Sequence, residues 1–259
     1  MPEFPVYGLV MKTKLRVDSL GLTGRFAEIS LLACLLTVLI FSGCAKQVTY
    51  QPAAPEKPQP IKARTLEQKA YSAMQRGDFD TGILLYQRVL EKDPANARAM
   101  YHLGFAYGQM GDHELEISYY ENAIELKYRT AQIYYNLGAA HLALDRVEEA
   151  IYAFKRGVKK NPGSADNYCG LGRAYQERLE YALAEKELLR AVDLSPEDIV
   201  FREYLGFFYE ETGQLQKAAE QYRIILEIDS EYEGARERLE HVVKKQEAGE
   251  ESHRGKGGQ

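Results

Sequence analysis

Residues 131–164 read AQIYYNLGAAHLALDRVEEAIYAFKRGVKKNPGS, and the rest of the chain is organised around copies of that stretch. In its first half Tyr134, Leu137, Gly138 and His141 follow the i, i+3, i+4, i+7 stripe of an amphipathic helix. In its second half Ala150, Phe154 and Gly157 repeat the stripe, and Pro162 stops it. Working outward, the pair Leu-Gly recurs at Leu103-Gly104, Leu137-Gly138, Leu171-Gly172 and Leu205-Gly206, 34 residues apart each time. Pro94, Pro162 and Pro196 fall on the same grid, with Tyr128 and Ser230 at the grid points that lack proline. Numbering the proline as position 32 divides the body into five gapless units: 63–96, 97–130, 131–164, 165–198 and 199–232.

Each unit is predicted to be two helices. Positions 8 and 20 are small so that the helices can approach, and position 24 carries the ring or Leu that fills the space beside them (Tyr86, Phe154, Leu188, Tyr222). Gly77, Gly111 and Gly213 at position 15 suit the left-handed turn between the helices. Asn96, Thr130, Ser164 and Asp198 at position 34 are expected to cap the next helix, and Thr65 with Gln68 has the spacing of a capping box at the first. Two residues depart from the pattern, Glu116 at the small position 20 and Leu179 at the turn position 15, and predict altered local packing. Residues 233–247 read as one closing helix with Leu239, Val242 and Val243 on a face, and 248–259 as a disordered tail.

This grid resembles the tetratricopeptide repeat over about two-thirds of the chain. The resemblance implies an all-α, right-handed superhelix of five helix-turn-helix repeats plus a capping helix, whose concave groove is lined by positions 2, 5, 9 and 12. In this sequence those positions include Arg64, Glu67, Tyr71, Arg98, Tyr101, Phe105, Gln132, Tyr135, Arg173, Gln176, Glu203 and Phe207. The peptide-binding residues expected on that basis are Arg64, Tyr71, Arg98, Tyr101, Phe105, Tyr135, Arg173 and Phe207. Rings where no core within the unit calls for them favour binding, and the alternative is that they pack between neighbouring repeats. The chaperone-binding members use Lys at position 5 and Asn at position 9. Glu67, Tyr71, Tyr101 and Phe105 stand there instead, which disfavours that ligand.

Upstream of the units, residues 29–45 are uncharged, and 13 of them, Ile29 to Phe41, form an apolar core, the length of a signal peptide rather than of a spanning helix. Lys12, Lys14, Arg16 and Arg25 supply the basic flank, and Met11 is a second possible start. The core ends in Ser42-Gly43-Cys44, which resembles the lipobox of bacterial lipoproteins, although Phe41 departs from the family's usual Leu, Val or Ile. That resemblance implies removal of residues 1–43, acylation of Cys44 and delivery to the periplasmic face of the outer membrane, since Ala45 is not the Asp that retains such proteins on the inner one. Residues 44–62 contain Pro52, Pro55, Pro58 and Pro60 and read as a tether, of roughly 55 Å if fully extended in polyproline II geometry.

Composition narrows the function. The chain has 259 residues, and its net charge of −5, with no basic cluster standing out, disfavours nucleic acid. Its cysteines, Cys34, Cys44 and Cys169, are too few for a disulfide framework and lack zinc-site spacing. His102, His113, His141, His241, His253 and Cys169 form no catalytic motif, and no phosphate-binding loop occurs. His141 is expected in the core, His102 at the groove edge and Cys169 as a free thiol. The expectation is a scaffold without enzyme activity, cofactor, metal or small-molecule substrate. Anchored through Cys44, it would bind an extended segment or helix of another envelope protein, with pilus or secretin assembly favoured. Alternatives are a self-associating structural protein and an adaptor for cell-wall hydrolases or exopolysaccharide export.

Overall fold

The computed structural model describes residues 63–256. The apolar leader, both candidate start sites, Cys44 and the proline-rich stretch lie outside the described residues. Within them are eleven helices and no strand: α1 Ala63–Gln75, α2 Phe79–Lys92, α3 Ala97–Gln109, α4 His113–Glu125, α5 Ala131–Ala143, α6 Val147–Lys160, α7 Ala165–Glu177, α8 Tyr181–Leu194, α9 Ile199–Glu211, α10 Leu215–Ile228 and α11 Glu233–Lys256. The first ten pair as α1·α2 through α9·α10, and each pair's second helix also packs on the next pair's first. First helices lie beside one another, α3 with α5, α5 with α7 and α7 with α9. They make the inner layer of an all-α solenoid, and the second helices make the outer layer.

The core runs through the helix pairs along the axis. Tyr86, Tyr120, Phe154, Leu188 and Tyr222 at position 24 are all 2% exposed or less. The Phe154 ring shows why position 8 is small: a β-carbon added to Gly138 would lie 2.6 Å from it, and one added to Gly170 in the following unit 2.4 Å. Any side chain at either glycine would push α5 or α7 off that ring.

Helix ends follow local chemistry. Gly77, Gly111 and Gly213 have φ of 74°, 81° and 75°. Asp145 and Leu179 take the same left-handed conformation at 57° and 59° without being glycine. Tyr128 replaces the proline in the second unit, and there a Schellman-type turn stops α4: Lys127 (φ 71°) donates to the Ile124 carbonyl at 3.0 Å and Tyr128 to that of Ala123 at 2.9 Å. Asn96 Oδ1, Thr130 Oγ1 and Asp198 Oδ1 accept backbone N–H groups of the helices they precede, at 2.9, 3.2 and 3.0 Å.

Three expectations need correction. Ser164 makes no capping bond; its hydroxyl accepts from Asn167 Nδ2 at 2.9 Å, a side chain buried against Gly157. Helix α1 starts at Ala63, so Thr65 and Gln68 lie inside it rather than at a capping box; Ala63 and Arg64 are good helix formers and let the first turn begin earlier. Helix α11 runs to Lys256 rather than ending at 247 before a disordered tail. Between Ala235 and Arg254 the only break in helix preference is Gly249, which costs about 1 kcal/mol and does not stop a helix already propagating.

Candidate binding surface

In the first three units the position-24 side chain has a neighbour at position 6 of the following unit. His102 stacks on Tyr86 with centroids 5.0 Å apart, Asn136 Nδ2 donates to Tyr120 Oη at 3.2 Å, and Gly170 lies against Phe154. Extending the grid by one unit places Arg238 of α11 at position 6. It meets Glu210, which also accepts the Tyr222 hydroxyl, at 3.3 and 2.6 Å. Helix α11 therefore docks as the first helix of a sixth unit would.

In the N-terminal half this contact gathers rings. Tyr71 and Tyr101 stand edge-on to His102 at 5.8 and 5.2 Å, and Tyr101 also meets Tyr120 at 5.7 Å and Tyr128 at 5.2 Å. Phe105 packs on Phe79 at 6.4 Å. Tyr71, Tyr101 and Phe105 are each half-buried, whereas Arg64 and Arg98 are exposed. Glu67 turns aside to accept from Asn96 Nδ2 at 2.7 Å. His102 is 9% exposed, which corrects its expected place at the groove edge. Burial, and secondarily the Arg98 charge, lower its pKa to about 4.

Toward the C-terminus guanidinium groups replace the histidine. Tyr135 leans on Phe154 at 6.0 Å, and burial raises its hydroxyl pKa well above the ordinary range. Arg173 lies over Tyr204 at 4.8 Å and Arg238 over Phe207 at 4.3 Å. Around them is a cavity of about 300 Å³ between α7, α9 and α11. Gln176 donates to Glu211 there, and Glu203 accepts the Tyr232 hydroxyl at 3.1 Å.

The sequence-predicted rings thus share the inner layer but serve two purposes. Tyr101, Tyr135 and Phe207 each contact the position-24 ring of their own unit, the last at 6.3 Å from Tyr222, so the premise that no core within the unit calls for them is wrong. They also keep part of their surface exposed. Sequence reasoning missed Phe79, Tyr204 and Arg238; for the last two the position-6 column was the available signal.

Of the remaining chemistry-bearing residues, Cys169 lies within electrostatic reach of Tyr135 and Arg173 of this surface. Cys169 is a free, buried thiol whose pKa burial raises to about 12. His141 is 8% exposed, in the core as expected. Glu116 is 8% exposed; its carboxylate fills the space a side chain at Gly108 would take and contacts His113 Nδ1 at 2.8 Å. Desolvation raises its pKa. From there hydrogen bonds run inward through Tyr120 and Asn136 to Gln132, which donates to Asn136 Oδ1 at 3.0 Å. No group of metal-binding side chains occurs among the described residues.

Comparison with known proteins agrees with this geometry. A family model described as TPR repeat matches residues 70–111, and one described as Tetratricopeptide repeat matches 106–165 and 169–233. The crystal structure of MamA protein is 27% identical with a TM-score of 0.57, covering 65% of this chain and 92% of that one. PilW, titled a widely conserved type IV pilus biogenesis factor, has a TM-score of 0.62 at 17% identity, over 72% of this chain and 92% of its own. YrrB, titled a TPR protein with an unusual peptide-binding site, has 0.56 at 18%, over 70% and 92%. Likenesses as distant as the last two show the fold alone. No curated protein matches the sequence.

Proposed function

Because the chain belongs to the tetratricopeptide repeat family, with repeats matched over residues 70–165 and 169–233, we propose that its inner face holds an extended segment or helix of another protein and that it works as a scaffold, not an enzyme. One observation carries this reading: Tyr71, Tyr101, Phe105, Tyr135 and Phe207 line the inner layer half-buried, fixed by the core beneath them yet still presenting ring surface. Rigid rings held in this way supply contact area at little cost in side-chain entropy.

We further propose that the scaffold is a lipoprotein, acylated at Cys44, held on the periplasmic face of the outer membrane and engaging another envelope protein. The basic flank, the 13-residue apolar core and Ser42-Gly43-Cys44 support this. Pilus or secretin assembly is the pathway to test first, a choice encouraged by the fold shared with PilW. The partner reading is tested by affinity capture from the native envelope with the wild-type chain and with Tyr101, Phe105 and Tyr135 all changed to Ala. A partner recovered equally by both is not held by this face. The anchor is tested by labelled fatty acid. Wild type should incorporate it and Cys44→Ser should not, since the substitution removes the thiol proposed to be modified; each buried methylene of an acyl chain would then contribute about 0.8 kcal/mol to membrane attachment of the wild type. An unlabelled wild type refutes lipidation and leaves the inner-face reading intact.

A further inference from the structure

Between α6 and α8, on the outer face and away from the ring-lined inner layer, lies a cleft of about 770 Å³. Tyr168, Leu171 and Tyr175 of α7 form its floor, with Leu189 of α8, 41% exposed, on one wall. A cation sits over a floor ring from each side: Lys155 of α6 lies 5.5 Å from the Tyr175 centroid and Arg190 of α8 5.9 Å from that of Tyr168. Neither makes an ion pair among the described residues, whereas two of the three carboxylates at the cleft are engaged, Glu185 by Lys217 at 2.8 Å and Glu187 by Lys186 at 3.5 Å. Asp193 is the third.

The charge of this stretch belongs to these units and is not general to the solenoid. Positions 25 and 29 hold Lys155 and Lys159 in the third unit but Glu121 and Glu125 in the second, and Lys160 adds a further cation that forms no ion pair among the described residues. In a chain of net charge −5, an apolar-floored cleft flanked by unneutralised cations is complementary to one kind of occupant.

We propose that this outer cleft is a second docking site, which takes an acidic amphipathic segment of a partner protein, its apolar side chains on Tyr168 and Leu189 and its carboxylates toward Lys155 and Arg190. The site is separate from the inner face and does not depend on the reading given to that face. A guanidinium or ammonium already stacked on a ring is oriented before the carboxylate arrives, so less freedom is lost on binding.

The test uses the full chain and a fluorescent 14-residue probe with the heptad Leu-Glu-Glu-Leu-Leu-Glu-Glu repeated twice, read by anisotropy at low and moderate salt. The wild type should bind this probe, and Lys155→Glu with Arg190→Glu should weaken binding at least tenfold while circular dichroism stays unchanged. Tyr101→Ala should leave binding as it is. The same probe with Lys in place of Glu should not bind. Equal binding of a 14-residue polyglutamate would reduce the site to unspecific charge and overturn the proposal, as would loss of probe binding in Tyr101→Ala or none in the double variant. If the exposed double variant fails to fold, Leu189→Ser serves instead, with the same tenfold expectation.

Discussion

The two ends of the inner face are built in one register from different chemistry. Near the N-terminus the position-24 ring of the first unit is met by an imidazole, His102 on Tyr86; near the C-terminus the equivalent slot holds the guanidinium of Arg238, tied to Tyr222 through Glu210. The first arrangement collects Tyr71 and Tyr101 around a buried, uncharged ring system, and the second spreads charge over Tyr204 and Phe207. Position 24 has to be covered for the solenoid to continue, but almost any side chain with the right reach can cover it. The backbone repeat fixes where side chains meet, and the surface is left free to vary in polarity along its length.

The largest effect expected separates the covered column from the residues that lean on it. Phe154→Ala empties a site that is 0% exposed and pressed by glycines of two units, and should cost roughly 3–5 kcal/mol with damage spreading to its neighbours. Tyr101→Ala or Tyr135→Ala removes a half-buried ring and should cost about 1–2 kcal/mol, since part of each ring is already in water. Thermal melts followed by circular dichroism give the order. If Tyr135→Ala is as damaging as Phe154→Ala, Tyr135 is core, and its place in the binding surface is lost.

Acid should act on one end first. The folded pKa of His102, about 4, lies below the 6.5 of the free side chain, so its contribution is complete above pH 6.5 and disappears as pH falls toward 4. The shift corresponds to a loss on the order of 3 kcal/mol. His102→Asn, which borrows the residue the third unit uses in that slot, should be less stable at pH 7 yet flatter between pH 6.5 and 4. Hydrogen exchange at pH 4.5 should show opening concentrated in α1 to α4 of the wild type. Opening that begins in α9 to α11 would place the acid-sensitive element elsewhere.

Much of this was legible from the 34-residue spacing alone, because a period fixes which side chains share a column and the columns fix the core. Phe154, Tyr222 and the glycines at position 8 could be placed without coordinates. Contacts between units were harder to read. His102 looked like an edge residue because within its own helix it lies beside the apolar stripe, and the rings packed on it include Tyr71 and Tyr86 of the preceding unit. Arg238 was hidden for the related reason that the closing helix lacks the Leu-Gly signature, although it keeps the register. Ser164 failed as a cap for a local reason: the side chain of Asn167, three residues on in the first turn of α7, takes its hydroxyl.

The two departures from the repeat sharpen the comparison further. Glu116 stands where other units have Gly or Ala, and burial raises its pKa. A raised folded value means that its favourable contribution is complete below about 4.5, the ordinary value, and is lost as pH rises through the folded pKa. At neutral pH the second unit therefore carries a desolvated carboxylate held by His113 and Tyr120. Glu116→Gln keeps polar partners for both and removes the charge, and should stabilise the protein by about 1 kcal/mol at pH 7.5 with no gain at pH 4. A variant that loses stability at pH 7.5 would show that the contacts the carboxylate makes with His113 and Tyr120 are worth more than its desolvation.

The smallest effect expected concerns Leu179. Units one, two and five turn between their helices on Gly77, Gly111 and Gly213, and the fourth makes the same turn on leucine at φ 59°. The hydrogen bonds are those of the glycine turns: Leu179 donates to the Gln176 carbonyl and Glu180 to that of Tyr175, both at 2.9 Å. The side chain is 69% exposed, so packing offsets little of the left-handed penalty of about 1–2 kcal/mol that any β-carbon incurs there. Leu179→Gly should raise stability by about 0.5–1 kcal/mol once the greater freedom of glycine in the unfolded chain is counted. Leu179→Ala should change it little, because alanine keeps the β-carbon and gives up a contact mostly with water. Denaturant melts of the two variants side by side decide the point. If Ala destabilises as Gly stabilises, the leucine side chain contributes packing after all; if neither moves the midpoint, the turn is not under strain and the fourth unit is equivalent to its glycine-turned neighbours.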